Sequence, residues 1–223
     1  MGKGCRWVNA LGRCCQINPQ GLCVEPGSQP QFEWTMRMYS QDNGEGRDNR
    51  TSIYVFNLEG GEGIGSFFQE TLEPGEWIHV VGVIEPVDAA GSGRVRIYQN
   101  GILRKCDQYT GVSDPDGFCQ RVPPPPPPRD ISPMQGRAPL RIGHRDRLSF
   151  FRGGIARVRI WKRVLQGTEV ADLYFRGVIP RNDLVAEYLF NEGTGTMVHD
   201  TAGTHDGTII GTVTWGTDPE PGP

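Results

Sequence analysis

The clearest pattern along this chain is a regular alternation of apolar and polar residues, which predicts β-strands. Between residues 32 and 39 apolar side chains occupy every second position, and 154–161 repeats this period. A period of two places alternate side chains on opposite faces, so each stretch predicts a strand with one buried face. Asn100-Gly101 separates two further runs, 94–98 and 102–105, and predicts a tight β-hairpin.

Shorter signals predict the remaining elements. Runs rich in apolar or β-branched residues predict three more strands, at 53–58, 66–71 and 77–84. The run 77–84 is mainly apolar, which favours the centre of a sheet, and the glycines of 60–65 predict a flexible turn. One short helix is predicted at 168–176, because Thr168 can cap its start and Gly177 can close its end.

Several of these segments together resemble a known family. PLRIG (139–143), FRGGIARVRIWKRVL (151–165) and EVADLY (169–174) occur in this order, after PGEWIHVVGV (74–83) and RIYQNGIL (96–103). In this order they resemble the laminin G-like jelly roll of the concanavalin A-like superfamily, over roughly 39–176. The resemblance implies an all-β fold in which two antiparallel sheets pack face to face as a jelly-roll sandwich.

The segment 182–209 resembles the stretch that begins the family's domain, yet here it comes last. Three arrangements follow: it folds back into the same domain as a circular permutation, it completes a neighbouring molecule, or it starts another repeat. We favour folding back, because the termini of compact domains usually lie close together and an unpaired apolar strand favours aggregation.

These patterns give a domain organisation. We expect a cysteine-rich segment at 1–31 that forms a stapled loop and no packed element, followed by a jelly roll at 32–177. A Cys- and Pro-rich insertion at 106–134 contains six consecutive prolines and should lie outside the sheets. The C-terminal strands at 178–216 are expected to belong to the same domain, and 217–223 form a tail.

Six cysteines in a β domain favour an oxidising compartment. We expect Cys106 to pair with Cys119. Cys14 and Cys15 should pair with Cys5 and Cys23 in one of two connectivities, because adjacent cysteines rarely bond to each other. Zinc is disfavoured by the ligand spacing. We therefore expect a protein that is secreted or displayed at the cell surface, with its leader outside this sequence.

Charge and hydropathy limit the partners. The net charge of −3 does not favour nucleic acid or an anionic membrane, and no apolar run reaches the ~20 residues of a membrane span. Catalysis has little support, because the alternating acidic motif of polysaccharide-cleaving enzymes is absent. Glu33, Glu187 and Glu192 are isolated and are expected to face solvent, and His79, His144, His199 and His205 are scattered.

Calcium is the one cofactor to consider, because related jelly rolls bind it through oxygen ligands. Two clusters could supply these ligands, Asp42, Asn43, Glu45 and Asp48, or Asn191, Asp200 and Asp206. The alternative is that these residues only form turns.

Sugar binding would use aromatic rings and planar polar groups on one face of a sheet. The candidates are Trp34, Arg37, Tyr39, Tyr54, Arg96 and Tyr98, with Arg159 and Trp161 in addition. The alternation along a strand does not show which face of the sheet is exposed. The alternative that these side chains lie in the core is therefore equally supported. The resemblance implies a non-catalytic module that binds a polysaccharide or glycoconjugate, or that mediates adhesion at the cell surface. Two other functions stay open, a protein-interaction domain acting through its Cys-rich and Pro-rich segments and a polysaccharide-cleaving enzyme.

Overall fold

The computed structural model describes residues 7–14, 32–39, 50–56, 63–67, 70–73, 75–110, 119–121, 139–144 and 150–216. Within this part of the chain there are thirteen β-strands and one α-helix, so the predicted all-β class is confirmed. The chain divides into two compact units, Met1–Arg152 and Gly153–Pro223.

The N-terminal unit contains two sheets. Its strands are β1 (Trp7–Cys14), β2 (Phe32–Tyr39), β3 (Thr51–Phe56), β4 (Gly63–Phe67), β5 (Val80–Glu85), β6 (Gly93–Gln99), β7 (Ile102–Thr110), β8 (Gln120–Arg121) and β9 (Leu140–Ile142). One sheet has the order β4-β3-β2-β1-β9 and the other β5-β6-β7-β8. All neighbouring strands are antiparallel except β7 and β8, which run parallel.

An apolar core lies between the two sheets. Ile53 and Val55 of β3 pack with Val95 and Ile97 of β6 and with Tyr109 of β7. Each of these side chains is at most 2% exposed. The alternation along the strands therefore sends these residues inward, and the two sheets pack face to face in a sandwich-like arrangement.

A polar contact crosses the same space between the sheets. The Ser66 hydroxyl of β4 donates to Asp107 Oδ2 of β7 at 2.6 Å. The Nζ atom of Lys105 lies 3.2 Å from Asp107 Oδ1. Because Asp107 is only 1% exposed, its carboxylate needs these partners to offset the cost of burial.

The hairpin predicted at Asn100-Gly101 is confirmed. Both residues have positive φ, 50° and 78°, as a two-residue hairpin turn of the favoured hand requires. The Asn100 carboxamide oxygen also accepts a hydrogen bond from the His79 backbone N–H at 2.9 Å. The turn is thus tied to the chain that enters β5.

The expectation that 1–31 contains no packed element is wrong for 7–14. These residues form β1, which pairs with β2 on one side and with β9 on the other. The residues 7–14 include Trp7, Val8 and Leu11, but the strands that pair with them, β2 and β9, are distant in sequence, so the cysteine- and glycine-rich composition of 1–31 did not predict this strand.

The strand predicted at 77–84 begins three residues later, as β5, and is not central among the described strands. It lies at one end of the order β5-β6-β7-β8. Val80 and Ile84 pack against the core, whereas Val81 and Val83 are buried on the opposite face. The mainly apolar run therefore reflects a strand that is buried on both faces. It does not show that the strand is central in its sheet.

The expectation that 106–134 lies outside the sheets is wrong at its start. Residues 106–110 continue β7, and Gln120–Arg121 form β8 beside them. Tyr109 from this stretch is a core residue, and its hydroxyl donates to the Glu85 carbonyl at 2.7 Å. The six prolines lie outside the described residues.

The C-terminal unit is built around a helix and two short sheets. Its elements are β10 (Val158–Trp161), α1 (Gly167–Phe175), β11 (Leu184–Tyr188), β12 (Met197–Val198) and β13 (Gly207–Thr208). β10 pairs with β11 and β12 with β13, both antiparallel. The segment that resembles the family's first strand thus pairs within its own chain. Its membership of one domain with 32–177 stays a prediction.

The predicted helix is present, but Thr168 does not cap it. The helix follows Gln166, whose backbone N–H donates to Glu169 Oε2 at 2.9 Å. Arg163 donates to both carboxylate oxygens of Glu169, at 2.8 and 2.6 Å. These Arg163 and Gln166 hydrogen bonds lower the pKa of Glu169 to about 2. Gly177 closes the helix as expected, with φ of 64°.

The predicted disulfide between Cys106 and Cys119 is confirmed, with a sequence separation of 13 residues. Closing a loop of this length stabilises a protein by about 3 kcal/mol in the chain-entropy model. We therefore expect the double variant Cys106→Ala, Cys119→Ala to lose about 3 kcal/mol in the free energy of unfolding, measured by urea denaturation. Unchanged denaturation midpoints for the variant and the unmodified chain would contradict this assignment.

Candidate ligand-binding face

One row of residues crosses the outer face of the five-stranded sheet. In register from β4 to β9 it consists of Gly65, Tyr54, Thr35, Gly12 and Arg141. The neighbours of Tyr54 along β3, Ile53 and Val55, point into the core. Because strand residues alternate between faces, Tyr54 and its row lie on the face turned away from that core.

A glycine lies against the Tyr54 ring. A Cβ atom at Gly65 would come within 2.6 Å of the Tyr54 ring carbons, so only glycine leaves room for the ring to lie across β4. Phe56, two residues along β3, lies against Gly63 of β4 in the same way, since a Cβ atom at Gly63 would collide with the Phe56 ring. The two rings are stacked with centroids 6.0 Å apart.

Arg37 extends the stack outward from the sheet. Its guanidinium carbon lies 4.2 Å from the centroid of the Tyr54 ring, within the range of a cation–π contact. Ser52, which is paired with Arg37, donates its hydroxyl to the Arg37 carbonyl at 3.4 Å. Ser52 and Thr35 are buried at 0% and 1% exposure, whereas Arg37 and Tyr54 stay partly exposed.

This arrangement presents a cation at a defined place on the sheet. An arginine offers five N–H donors in a plane and no acceptor, and stacking on a ring restricts its otherwise flexible side chain. The stack therefore holds the Arg37 guanidinium in a defined orientation over the Tyr54 ring.

The other predicted sugar-binding residues are not brought to this face. Trp34 packs against the core, and Tyr98 is 2% exposed in β6 of the other sheet. Arg96, also in β6, forms an ion pair with Glu85. The side chain of Tyr39 lies outside the described residues.

In the C-terminal unit, Arg159 and Trp161 have structural partners. The Arg159 Nε atom donates to Glu187 at 2.6 Å, and the Trp161 indole N–H donates to the Pro180 carbonyl at 2.8 Å.

Asp200 is surrounded by hydrogen-bond donors. Its Oδ1 accepts the backbone N–H groups of Glu187 and Ala202 at 2.9 and 3.0 Å. Its Oδ2 accepts the backbone N–H of His205 at 3.1 Å and lies 3.2 Å from the His205 ring. Burial would raise the pKa of Asp200, but these hydrogen bonds outweigh burial and hold its pKa at about 2.

The calcium candidates divide between the described and the undescribed parts of the chain. Asp42, Asn43, Glu45 and Asp48 lie outside the described residues. Asp206 accepts the Asp200 backbone N–H at 2.9 Å and lies 3.4 Å from the His199 ring. Searching only the described positions finds no group of three or more His, Cys, Asp or Glu residues that could hold a metal. Calcium therefore stays a prediction.

The three isolated glutamates do not all face solvent, contrary to expectation. Glu187 is 4% exposed and Glu33 is 7% exposed. Glu187 accepts hydrogen bonds from Arg181 and Thr201, both at 2.9 Å, in addition to the Arg159 contact. Burial opposes ionisation, but the partners Arg159, Arg181 and Thr201 prevail and lower the pKa of Glu187. The alternation of residues along β11 does not predict these partners, because they belong to other parts of the chain.

The remaining candidate residues either contact neighbouring protein groups or lie outside the described residues. Glu192 accepts the His199 backbone N–H at 2.8 Å. His79 precedes β5, and His144 forms an isolated bridge with Phe150. Cys5, Cys15, Cys23 and the side chain of Cys14 lie outside the described residues, so their connectivity stays open.

Two members of the face were missed by sequence reasoning. Gly63 and Gly65 belong to β4, whereas 60–65 was expected to be a turn. Their signal was available in the sequence, since glycines two apart in a strand can match aromatic residues two apart in the partner strand.

No family model matches the chain, and no curated protein matches it. Among solved structures, it is similar to a 2.1 Å crystal structure of an S-layer domain-containing protein (residues 221–444) from Clostridium thermocellum ATCC 27405. The identity is 15% and the TM-score 0.26, over 68% of this chain and 59% of that chain. The chain thus spans less than two thirds of that structure's length. A similarity at this level carries no argument about function.

None of the described helical residues forms a segment long and apolar enough to cross a membrane.

We expect Asp200→Asn to destabilise the C-terminal unit by about 2 kcal/mol at pH 7, because an amide nitrogen would face N–H donors. The folded pKa of about 2 lies below the ordinary value of 3.8. The stabilisation is therefore complete above pH of about 4 and declines as the pH falls towards 2. Urea unfolding followed through the NMR signal of the Trp161 indole N–H measures both effects.

Asp172→Asn is the matched control, because Asp172 forms an exposed ion pair with Arg176 at 3.2 Å. Exposed pairs contribute little, so its effect should stay below about 0.5 kcal/mol. Equal stabilities of Asp200→Asn and the unmodified chain at pH 7 would contradict the role assigned to Asp200.

Proposed function

We propose that this chain is a non-catalytic carbohydrate-binding module with a laminin G-like jelly-roll fold, working as part of an exported protein. The proposed fold is supported by two antiparallel sheets facing each other across an apolar core and by the ordered sequence segments that resemble the family. The proposed export is supported by the Cys106–Cys119 disulfide, because disulfides persist mainly in oxidising compartments.

The observation that carries the proposed binding function is the stack of Gly65, Tyr54 and Arg37. It joins an aromatic ring and a planar polar group on the outer face of a sheet. Neighbouring residues hold the Tyr54 ring and the Arg37 guanidinium in place, so these side chains lose little conformational entropy when a ligand binds. Sugars carry hydroxyl groups that accept hydrogen bonds, and a planar guanidinium group is a common donor to them.

A protein-interaction domain is the alternative with a supporting observation. The disulfide fixes Cys119, which follows the chain leaving β7, to Cys106 within β7. A covalent cross-link of this kind lowers the conformational entropy that binding a protein partner would otherwise cost. The enzymatic alternative has weaker support, because Glu187 is held ionised by its partners and cannot readily donate a proton near neutral pH.

A glycan array with the full chain tests the proposal. We expect binding to at least one polysaccharide without release of reducing ends, and we expect Tyr54→Ala to weaken it at least tenfold by removing the support of Arg37. Trp77→Ala serves as the comparison, because Trp77 is a 52% exposed aromatic residue outside this face and its loss should leave binding unchanged.

Three results would contradict the proposal. Absence of binding to every glycan would reject the function, and loss of binding in Trp77→Ala alone would reject the assigned face. Reducing-end release abolished by Glu187→Gln would favour the enzyme. The far-UV circular dichroism and thermal midpoint of each variant should match those of the unmodified chain, so that misfolding is not mistaken for lost contacts.

A further inference from the structure

One segment of the C-terminal unit continues beyond β13 with no strand beside it among the described residues. The ladder of β12 and β13 gains one more backbone hydrogen bond, from the Ile209 N–H to the Thr196 carbonyl at 2.8 Å. Gly211 then has φ of 97°, which interrupts the extended backbone. The next four residues, 212–215, belong to none of the described strands.

Segment 212–215 nevertheless has the composition of a β-strand. Its sequence is Thr-Val-Thr-Trp, and all four residues favour strands. No charged residue or proline lies between 207 and 217, so the residues that usually protect an open strand from pairing are absent. Val213 is 52% exposed, and Ile210 just before the segment is 87% exposed. Such a segment can add itself to the edge of a sheet in another chain.

The same unit also contains an open sheet edge, along β10. β10 pairs with β11 on one side, and no other described strand lies beside it. All four residues of β10 are only partly buried. Because a two-stranded sheet is marginally stable, a third strand beside β10 would stabilise it through further backbone hydrogen bonds.

The segment and the open edge belong to opposite sides of β11 within one chain. Tyr188 of β11 pairs with Val158 of β10 on one side and forms an isolated bridge with Asp200 on the other. Asp200 lies between β12 and β13, so the hairpin that leads into segment 212–215 is attached to the side of β11 away from β10. We propose that segment 212–215 of one copy pairs with β10 of a second copy, so that the chain self-associates by strand addition.

Charge disfavours the pairing of two β10 edges with each other. Between residues 147 and 168 the sequence has six basic residues and no acidic one. Arg159 and Arg163 have carboxylate partners in their own chain, but Lys162, directly after β10, is exposed. Two copies of β10 side by side would bring like charges together, which destabilises paired strands.

Charge also disfavours the pairing of two copies of segment 212–215. Acidic residues flank the uncharged stretch 207–217 on both sides, at Asp206 and Asp218, so like charges would meet at its ends. An uncharged, acid-flanked segment beside the basic stretch around β10 avoids both repulsions. One copy carries both halves of this contact, so the contact can close a dimer reciprocally or repeat in one direction.

Sedimentation velocity with the full chain measures the self-association. A contact of four residues on each side is small and small interfaces form weak complexes, so the protein concentration should extend to ~1 mM. We expect a mean mass that rises above the monomer with concentration. A monomer throughout this range would overturn the inference.

Proline variants test whether segment 212–215 provides the strand. Consecutive N–H groups point to opposite edges of a strand, so either Val213→Pro or Thr214→Pro removes an N–H directed at the partner. We expect at least one of them to weaken self-association at least tenfold. Val213→Thr and Thr214→Val are the matched controls, because they keep the N–H groups and the strand preference, and should stay within threefold of the unmodified chain. Undiminished association of both proline variants would overturn the inference.

The position of the contact is measured on the unmodified chain, so this result does not depend on how the variants fold. In a mixed sample of differently isotope-labelled copies, we expect intermolecular NOEs between 212–215 of one copy and 158–161 of the other. Intermolecular NOEs that join two copies of 212–215, or that involve neither region, would overturn the assigned pairing. The inference is independent of the proposed carbohydrate binding, which the glycan array tests separately.

Discussion

The N-terminal unit depends on the close apolar contact between its two sheets. Ile53 of β3 packs so near to β5 that a Cβ atom at Gly82 would lie 2.8 Å from the Ile53 side chain. Burial of apolar surface drives this contact, and Gly82 allows the two sheets to approach without displacing large side chains. Within the second sheet, Gly93 of β6 leaves similar room for the Tyr109 ring of β7.

The inward face also determines the composition of the outward one. With Ile53 and Val55 fixed in the core, Tyr54 and Phe56 must lie on the other side of β3, beside Arg37 of β2. A register slip of one residue would bury the charged and aromatic pair and expose the core residues, so the core specifies the register strongly. The candidate face is thus a consequence of packing on the opposite side of the same strands.

The C-terminal unit depends more on buried polar groups. Asp200 joins the turn after β12 to β11 through backbone N–H groups, and Glu187 gathers Arg159, Arg181 and Thr201. The unit has few buried apolar side chains among its described residues, so hydrogen bonds to charged groups carry more of its specificity. Such networks are sensitive to the loss of any member, because the remaining groups stay buried without partners.

The sequence by itself determined the properties that depend on near neighbours. Alternation placed β2 and gave its two faces, Asn100-Gly101 gave the hairpin, Gly177 gave the helix end, and cysteine spacing gave the Cys106–Cys119 pair. Only the tertiary structure decided which aromatic residues face the core, such as Trp34, which are buried in the other sheet, such as Tyr98, and which lie on the outer face, such as Tyr54. It also decided that 7–14 forms a strand and that Glu187 is buried. These features depend on partners that are distant in sequence, so the local periodicity of the chain does not predict them.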